Sequence, residues 1–164
     1  MEDKNSTFQK VAEMLQQQGF SIINKDDSRP WGGFYVIDES NASKFVQQYF
    51  PNENMEELKI TEKISPKILL VAPNTRLSWQ YHYRRAEIWK CIEGPVEVAT
   101  SDTDEQTGKH VLQSGDIIRL KQGERHRLIG LDHWGIIAEI WQHTDVENPS
   151  DEDDIVRVQD DFGR

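Results

Sequence analysis

Short apolar runs separated by turn-forming residues fill the chain from residue 65 onward, and they constrain the fold more than any other feature. The runs are KILLVA, EIWKCIEG, PVEVAT, HVLQSGDIIRL, HRLIGL and GIIAEIWQ. Clusters of Gly, Pro, Asn and Asp between such runs are typical of the turns in antiparallel sandwiches and barrels. The sequence therefore predicts an all-β body.

The N-terminal segment STFQKVAEMLQQQGF has helical periodicity instead. Its apolar residues recur at i, i+3, i+4 and i+7 and are Phe8, Val11, Ala12 and Leu15. Ser6 or Thr7 is a suitable N-cap, and Gly19 suits the C-terminal end. We expect residues 1–28 to form a helical arm that packs on the main body or on a second subunit.

A second helix is predicted before the strand-rich region. After the turn-rich stretch DDSRPWGG, FYVIDE is predicted to be a strand and SNASKFVQQYF a short helix. Ser40 or Ser43 would cap this helix. Its apolar face would consist of Phe45, Val46, Tyr49 and Phe50. The sequence thus predicts a barrel with an N-terminal helix and a short helical insertion.

Length and composition exclude several classes of protein. The 164 residues fit one domain. No apolar run approaches the ~20 residues that cross a bilayer, and the N-terminus lacks the basic-then-apolar order of a secretory signal. The single Cys91 cannot form an internal disulfide. We expect a cytoplasmic protein with no membrane partner.

The formal net charge of −10 is concentrated in one segment. Residues 145–161 hold eight acidic residues against Arg157, and the rest of the chain has 21 acidic and 18 basic residues. A body this close to neutral lacks the basic stripe that a phosphate backbone requires, so we do not expect nucleic acid as a partner. The DEDD run is typical of a solvated face, but apolar side chains follow it. We therefore expect the tail, residues 151–164, to dock on the barrel.

The stretch QYHYRRAEIWKCIEG, residues 80–94, brings metal-ligand side chains together. Gln80 and His82 share a strand face, because residues i and i+2 project the same way. The YRRA segment is long enough to turn the chain and return Glu87 beside them on the next strand. His126, after the turn KQGE, would supply a fourth ligand. This donor set suits a divalent metal ion; we expect zinc, with manganese, nickel or iron as alternatives.

The spacing resembles the two motifs of the cupin family. QYHYRRAEIWKCIEG follows the first, G-x5-H-x-H-x4-E-x6-G, with Gln80 in place of the first His. GDIIRLKQGERHRLIG follows the second, G-x5-P-x-G-x2-H-x3-N, with Lys121 for Pro and Gly130 for Asn. The resemblance implies a cupin double-stranded β-helix, which is a jelly-roll barrel.

Three segments resemble type II mannose-6-phosphate isomerases more narrowly. They are RPWGGF, LSWQYHYRRAEIW and EDDIVRVQDDFGR. The resemblance covers residues 29–38 and 64–164, and it implies a cupin barrel over 29–164 with the tail docked on it. It also implies metal-dependent conversion of mannose 6-phosphate to fructose 6-phosphate. The chain departs from the family pattern around the expected pocket, which bears on the identity of the sugar; the departures are Trp79, Tyr83, Arg84, Ile88 and Trp141.

Isomerase chemistry requires a base as well as a metal. An aldose becomes a ketose when a proton moves between C1 and C2 through an enediolate, so the site must also stabilise negative charge. Glu87, shared between metal and proton transfer, is one candidate base. Glu139 is the other, since an acid in an apolar strand is unfavourable unless it faces a polar cavity.

The resemblance also implies residues that bind the sugar phosphate. Arginine matches the geometry of phosphate oxygens, and Arg85, Arg157 and Arg164 stand at positions that match the family. Arg157 would lie near the reacting sugar and take part in catalysis. Trp141 would contact the substrate, although packing in the core or an interface is an alternative use.

Simpler roles compete with these assignments. Glu87 could form a surface ion pair with Arg84 or Arg85, and Glu139 could be a structural acid paired with an arginine. The remaining histidines match no motif and are expected at the surface; they are His110, His133 and His143.

Three classes of function are compatible with the sequence. The first is a metal-dependent sugar-phosphate isomerase, the second another metal-dependent cupin enzyme such as an oxygenase, and the third a noncatalytic sugar-binding or regulatory cupin. The C-terminal tail favours the isomerase, because a binding module has less need of the tail segments EDDIVR and FGR close to a metal site. We also expect a homodimer, since cupins often pair through their sheets and a partner covers exposed strand edges.

Overall fold

The structure is a computed structural model that describes residues 3–59 and 62–163. Its strands pair into two antiparallel sheets. In chain order the strands are β1 (Ile22–Arg29), β2 (Gly32–Ile37), β3 (Lys67–Val71), β4 (Trp79–Tyr81), β5 (Arg85–Glu93), β6 (Val96–Ser101), β7 (Gly108–Leu112), β8 (Ile117–Leu120), β9 (Arg125–Gly130), β10 (Gly135–His143) and β11 (Val156–Gln159).

Strands β3 to β10 form a jelly roll. Strands β3, β10, β5 and β8 lie side by side in the first sheet, and β4, β9, β6 and β7 lie side by side in the second. Strands β1 and β2 extend the first sheet beyond β3, and β11 extends the second beyond β4. The predicted all-β jelly-roll barrel is confirmed.

Three α-helices and one 3-10 helix accompany the sheets in the described residues. The α-helices are α1 (Lys4–Gln17), α2 (Ala42–Tyr49) and α3 (Met55–Leu58), and the 3-10 helix, Glu39–Asn41, directly precedes α2. Helix α1 begins earlier than expected because Asp3, rather than Ser6 or Thr7, is the N-cap; its carboxylate accepts the Ser6 amide at 2.7 Å. Gly19, with φ +85°, follows the end of the helix as predicted. None of the described helices is long and apolar enough to cross a membrane.

The helix of the predicted arm ends at Gln17, and residues 22–29 form strand β1 of the first sheet. Strand β1 pairs with β2 in antiparallel register, with Lys25 opposite Tyr35 and Arg29 opposite Gly32. Its sequence IINKDDSR is largely exposed and lacks the regular apolar alternation of a half-buried strand. The prediction of a helical arm over 1–28 was therefore too long.

Apolar side chains cover both faces of the first sheet. On its outer face they pack beneath α1 and α2, and the predicted apolar face of α2 is entirely buried there. On its inner face, Trp89, Cys91 and Ile137 pack with Val98 and Leu128 of the second sheet and fill the barrel. The polar site lies in the part of the barrel interior that these residues leave open.

Candidate metal centre and active site

Gln80, His82, Glu87 and His126 meet in one cavity between the two sheets. Gln80 in β4 lies opposite His126 in β9, and His82 follows directly after β4. Glu87 belongs to β5, so it faces them from the other sheet and not from a neighbouring strand as the spacing suggested. All four are buried, with exposed fractions of 2 to 8%. The structure thus brings together the four residues predicted as ligands.

The separations between donor atoms fit a metal ion. His82 Nε2 lies 3.3 Å from Glu87 Oε2, and His126 Nε2 lies 3.6 Å from Glu87 Oε1. Bonds of about 2.0–2.1 Å in a tetrahedral arrangement place neighbouring ligand atoms about 3.3 Å apart. One atom from each of these three residues lies within 4.8 Å of the others. His82, Glu87 and His126 therefore form a group that could hold a metal ion.

Backbone carbonyls fix the tautomers of both histidines. His82 Nδ1 lies 2.7 Å from the Asp154 carbonyl oxygen, and His126 Nδ1 lies 3.1 Å from that of Glu124. A carbonyl oxygen only accepts, so each Nδ1 carries the hydrogen and each Nε2 turns a lone pair to the cavity. Burial lowers the pKa of both imidazoles, that of His82 to about 3. Both rings are therefore neutral and suited to bind a cation.

Arg85 lies over these ligand atoms. Its Nε donates to Glu87 Oε2 at 2.7 Å, and its Nη2 donates to His82 Nε2 at 3.2 Å. Its Nη1 donates to Ser150 Oγ and to the Asp151 carbonyl. Burial alone would raise the pKa of Glu87, but the Arg85 charge beside it contributes to a pKa below the usual range. Arg85 thus places a positive charge where a metal cation would also be attracted.

This placement revises two expectations, one for Glu87 and one for Arg85. The ion pair between Glu87 and Arg85 exists, but it is buried and not at the surface. The nitrogens of Arg85 are all engaged by protein acceptors, so the predicted phosphate contact would require Arg85 to exchange partners.

Glu139 places a second carboxyl beside Glu87. Trp89 Nε1 donates to Glu87 Oε1 at 3.0 Å and to Glu139 Oε1 at 2.9 Å, and Trp141 Nε1 donates to Glu139 Oε2 at 3.1 Å. Burial and the neighbouring charge of Glu87 raise the pKa of Glu139 to about 8. Of the two carboxyls, Glu87 therefore carries the negative charge at neutral pH and Glu139 retains a proton.

The other predicted substrate residues lie in different places. Arg157 of β11 is opposite Gln80 and lines the cavity. Trp141 is not among the described residues that line it: its ring packs 3.7 Å from the guanidinium carbon of Arg85, which covers it. Trp141 therefore supports Arg85 and Glu139, and the predicted substrate contact does not follow from this position. Arg164 lies outside the described residues.

Sequence reasoning missed Lys67, a buried cation of the cavity wall. Its Nζ lies 4.2 Å from the centre of the Phe34 ring and 2.5 Å from Glu152 Oε1 of the tail. Lysine is rarely buried without a partner. The one signal for a buried Lys67 in the sequence was its place at the start of the apolar run KILLVA.

The prediction of a surface position was wrong for His143. The side chain is fully buried, its Nδ1 accepts the Ser150 amide at 3.0 Å, and its Nε2 lies 2.9 Å from Ser65 Oγ. Burial lowers the pKa of His143 to about 4. His110 and His133 are exposed, as expected.

The family model described as "Mannose-6-phosphate isomerase C-terminal" matches residues 38–160. The chain belongs to this family. The match confirms the family resemblance, and it also includes the 39–63 segment, which the three motif segments left out.

Solved structures with the same fold are distant in sequence. The capsular polysaccharide assembling protein CapF from Staphylococcus aureus superposes with a TM-score of 0.59 at 10% identity, over 87% of this chain and 34% of CapF. Vicilin from hazelnut, Corylus avellana, gives 0.57 at 17% identity, over 85% of this chain and 36% of vicilin. The chain spans about a third of each, and these likenesses show the fold alone. No curated protein sequence matches the chain.

Proposed function

We propose that the protein is a metal-dependent aldose–ketose isomerase acting on a sugar phosphate, with mannose 6-phosphate to fructose 6-phosphate as the leading reaction. One observation carries the proposal: the buried group of His82, Glu87 and His126 shares a cavity with a second carboxyl, that of Glu139. Membership of the mannose-6-phosphate isomerase C-terminal family supports the choice of substrate class.

Gln80, His82, Glu87 and His126 would hold the ion. Two imidazoles with amide and carboxylate oxygens suit zinc, and manganese, nickel and iron remain compatible with the same donors. When bound, the ion would act as a Lewis acid that stabilises negative charge on the sugar oxygens. Arg85 must release His82 and Glu87 for the ion to bind, because its nitrogens occupy their ligand atoms.

Glu139 is the residue we assign to proton transfer. It lines the cavity beside Glu87, and the indole N–H groups of Trp89 and Trp141 fix both of its oxygens. With Glu87 engaged as a ligand, Glu139 is the carboxyl left for proton transfer. In its ionised form, which the positive charge of a bound cation would favour, it can take a proton from one sugar carbon and return it to the next. Because its orientation is fixed, little reorganisation is needed during the transfer.

Cationic side chains of the cavity wall would bind the phosphate. Arg157 lies on β11 opposite Gln80, and Lys67 lies on the opposite sheet. Lys67 meets the exposed carboxylate of Glu152, which a substrate phosphate could replace. We expect Arg157→Ala to raise the KM for a sugar phosphate or to lower turnover. Unchanged values of both would remove Arg157 from the site.

Proton NMR in heavy water tests the reaction. Mannose 6-phosphate and other aldose phosphates are incubated with the zinc-loaded protein, and we expect a ketose to appear with loss of the C2 proton signal. The variant His82→Ala should be silent, whereas His133→Ala, which changes an exposed histidine, should match the wild type. No change in any aldose phosphate by a protein that has bound zinc would contradict the proposal.

The contact between Arg85 and His82 favours one second candidate, a noncatalytic sugar-binding module. In such a protein the guanidinium would stay over His82 Nε2 and take the place of a metal ion. Titration calorimetry with zinc separates the two candidates, because a binding module of this kind would take up sugar phosphate but no metal.

A further inference from the structure

The acidic run Asp151–Asp154 contains one residue unlike the others. The first three are exposed, whereas Asp154 is only 5% exposed. Its Oδ1 accepts the amide of Tyr83 at 2.9 Å, and its Oδ2 accepts the amide of Arg84 at 3.0 Å and the Ser150 hydroxyl at 2.6 Å. A buried carboxylate requires such partners. Asp154 therefore does not belong to a solvated acidic face.

The backbone that Asp154 holds is the turn that connects the two sheets beside the site. Residues 83 and 84 lie between β4 and β5, with His82 before them and Arg85 after them. The turn is also held through carbonyls, since the Gly123 amide donates to His82 and the Thr144 amide donates to Arg84, both at 3.0 Å. The Asp154 carboxylate supplies the acceptors for the turn's two amides.

Asp154 also holds the imidazole of His82 directly. Its carbonyl oxygen accepts from His82 Nδ1 at 2.7 Å, the contact that turns Nε2 toward Glu87. The side chain and the main chain of one tail residue thus fix the backbone of the turn and the ring that the turn carries. Displacing the Asp154 side chain would move the carbonyl and loosen both constraints together.

We propose that Asp154 is a positioning residue that couples docking of the tail to the metal affinity of the site. It would act through His82, by holding the ring in the Nδ1–H tautomer with Nε2 aimed at Glu87. Hydrogen-bond partners that orient a ligating histidine are worth roughly 10- to 100-fold in metal affinity. The inference rests on the metal centre of the proposed function, but the geometry of His82 is measurable without a metal.

A purely structural role for Asp154 is the rival explanation. In that case its replacement would lower the stability of the whole domain and leave the His82 ring and the metal affinity of the folded protein unchanged. The two explanations differ in the folded state, so the test uses readouts confined to folded protein.

The test compares Asp154→Asn with Asp153→Asn in the full chain. Asparagine replaces one acceptor oxygen by an NH₂ group, which cannot accept from a backbone amide. Asp153 is the exposed neighbour of Asp154 in the tail, so Asp153→Asn makes the same chemical change one residue away. Zinc affinity is measured by calorimetry, the His82 tautomer by ¹⁵N NMR of the metal-free protein, and exchange of the Tyr83 and Arg84 amides by hydrogen–deuterium exchange.

For Asp154→Asn we expect zinc affinity to fall by roughly 10- to 100-fold, His82 to populate both tautomers, and the two amides to exchange faster. Asp153→Asn should match the wild type in all three. An unchanged tautomer and unchanged amide exchange in folded Asp154→Asn would overturn the inference. If that variant does not fold, Ser150→Ala removes one donor to the same carboxylate. Because Ser150 also accepts from Arg85, only the tautomer and the amide exchange are read in this variant; both should change to a smaller extent, and wild-type behaviour of both would overturn the inference equally.

The outcomes also separate this inference from the proposed function. A wild-type protein that binds no zinc would contradict the metal centre, while the tautomer and exchange measurements would still report on positioning by Asp154. A wild type that binds zinc, with Asp154→Asn binding it equally well, would contradict the positioning role alone.

Discussion

The two faces of strand β10 are both buried, and they differ in chemistry. Ile136, Ala138 and Ile140 project into the apolar layer beneath the helices. Glu139 and Trp141 project to the opposite side, where Trp141 donates a hydrogen bond to Glu139 and Arg85 covers the indole ring. Burial by itself therefore does not distinguish core from site; the pairing of polar groups on one face does.

Strand β5 repeats the contrast. Ile88 packs in the apolar layer, whereas its neighbours Glu87 and Trp89 face the barrel interior. A buried carboxylate is strongly unfavourable unless it is paired, and Glu87 meets Arg85, Trp89 and two imidazoles. The outer face of the first sheet thus packs in the apolar layer beneath the helices, whereas its inner face combines part of the barrel core with the reactive groups.

A change of the carboxyl on the interior face should reduce activity far more than stability. Glu139→Gln cannot transfer a proton, so we expect turnover to fall by about 10²–10⁴. Its NH₂ group cannot accept from one of the two indoles that Glu139 holds, so we also expect the free energy of unfolding to fall by about 1–3 kcal/mol. Glu147→Gln, in the exposed part of the tail, is the matched control. Turnover within twofold of the wild type, measured by sugar-phosphate NMR, would remove Glu139 from the proton-transfer role.

The outer face should carry stability without activity. Ile140→Ala leaves a cavity in the apolar layer, so we expect the free energy of unfolding to fall by about 2–5 kcal/mol, with zinc affinity unchanged. Urea denaturation measures the first and calorimetry the second. Ile23→Ala, at a side chain that is 61% exposed, should stay within about 0.5 kcal/mol. A loss of metal affinity in Ile140→Ala would show that the two faces are not independent.

Acid should weaken the fold through His143. Its pKa is lowered from 6.5 to about 4, so between these values the unfolded chain binds a proton that the native state does not. This contribution to stability is present in full above pH 6.5 and is lost as the pH falls toward 4. We expect His143→Gln to lose less stability than the wild type between pH 7 and pH 5, in urea denaturation. Equal losses would mean that the pKa of His143 is the same in the native and unfolded states.

The smallest effect is expected at the mouth of the cavity. The ion pair between Lys67 and Glu152 joins a buried ammonium to a carboxylate that is 55% exposed. Solvent screens such a pair, so Glu152→Gln should change the free energy of unfolding by less than about 1 kcal/mol. A loss as large as that of Ile140→Ala would make the tail part of the stabilising core.

The sequence was sufficient to predict that four candidate ligands share one cavity, because three of them are close together in the chain. Gln80 and His82 follow the two-residue repeat of a strand, and the motifs relate Glu87 and His126 to them. The sequence alone did not predict to which sheet Glu87 belongs, since β5 pairs with β10 and β8, which lie far away in the chain.

The features that sequence reasoning missed depend on contacts between distant segments. Strand β1 is mostly exposed and has no regular apolar alternation, so only its pairing with β2 reveals it. His143 is buried because Ser65 and Ser150 satisfy its nitrogens. Asp154 looks like its acidic neighbours until the tail docks and presents it with the amides of residues 83 and 84.

X-ray absorption spectroscopy of the zinc-loaded protein at the zinc edge is the most direct test of the metal centre. We predict a shell of nitrogen and oxygen atoms at about 2.0–2.1 Å, with two imidazoles, one of which is lost in His126→Ala and neither in His133→Ala. A shell that contains sulfur, or one that His126→Ala leaves unchanged, would place the ion elsewhere and contradict a metal centre built from both sheets.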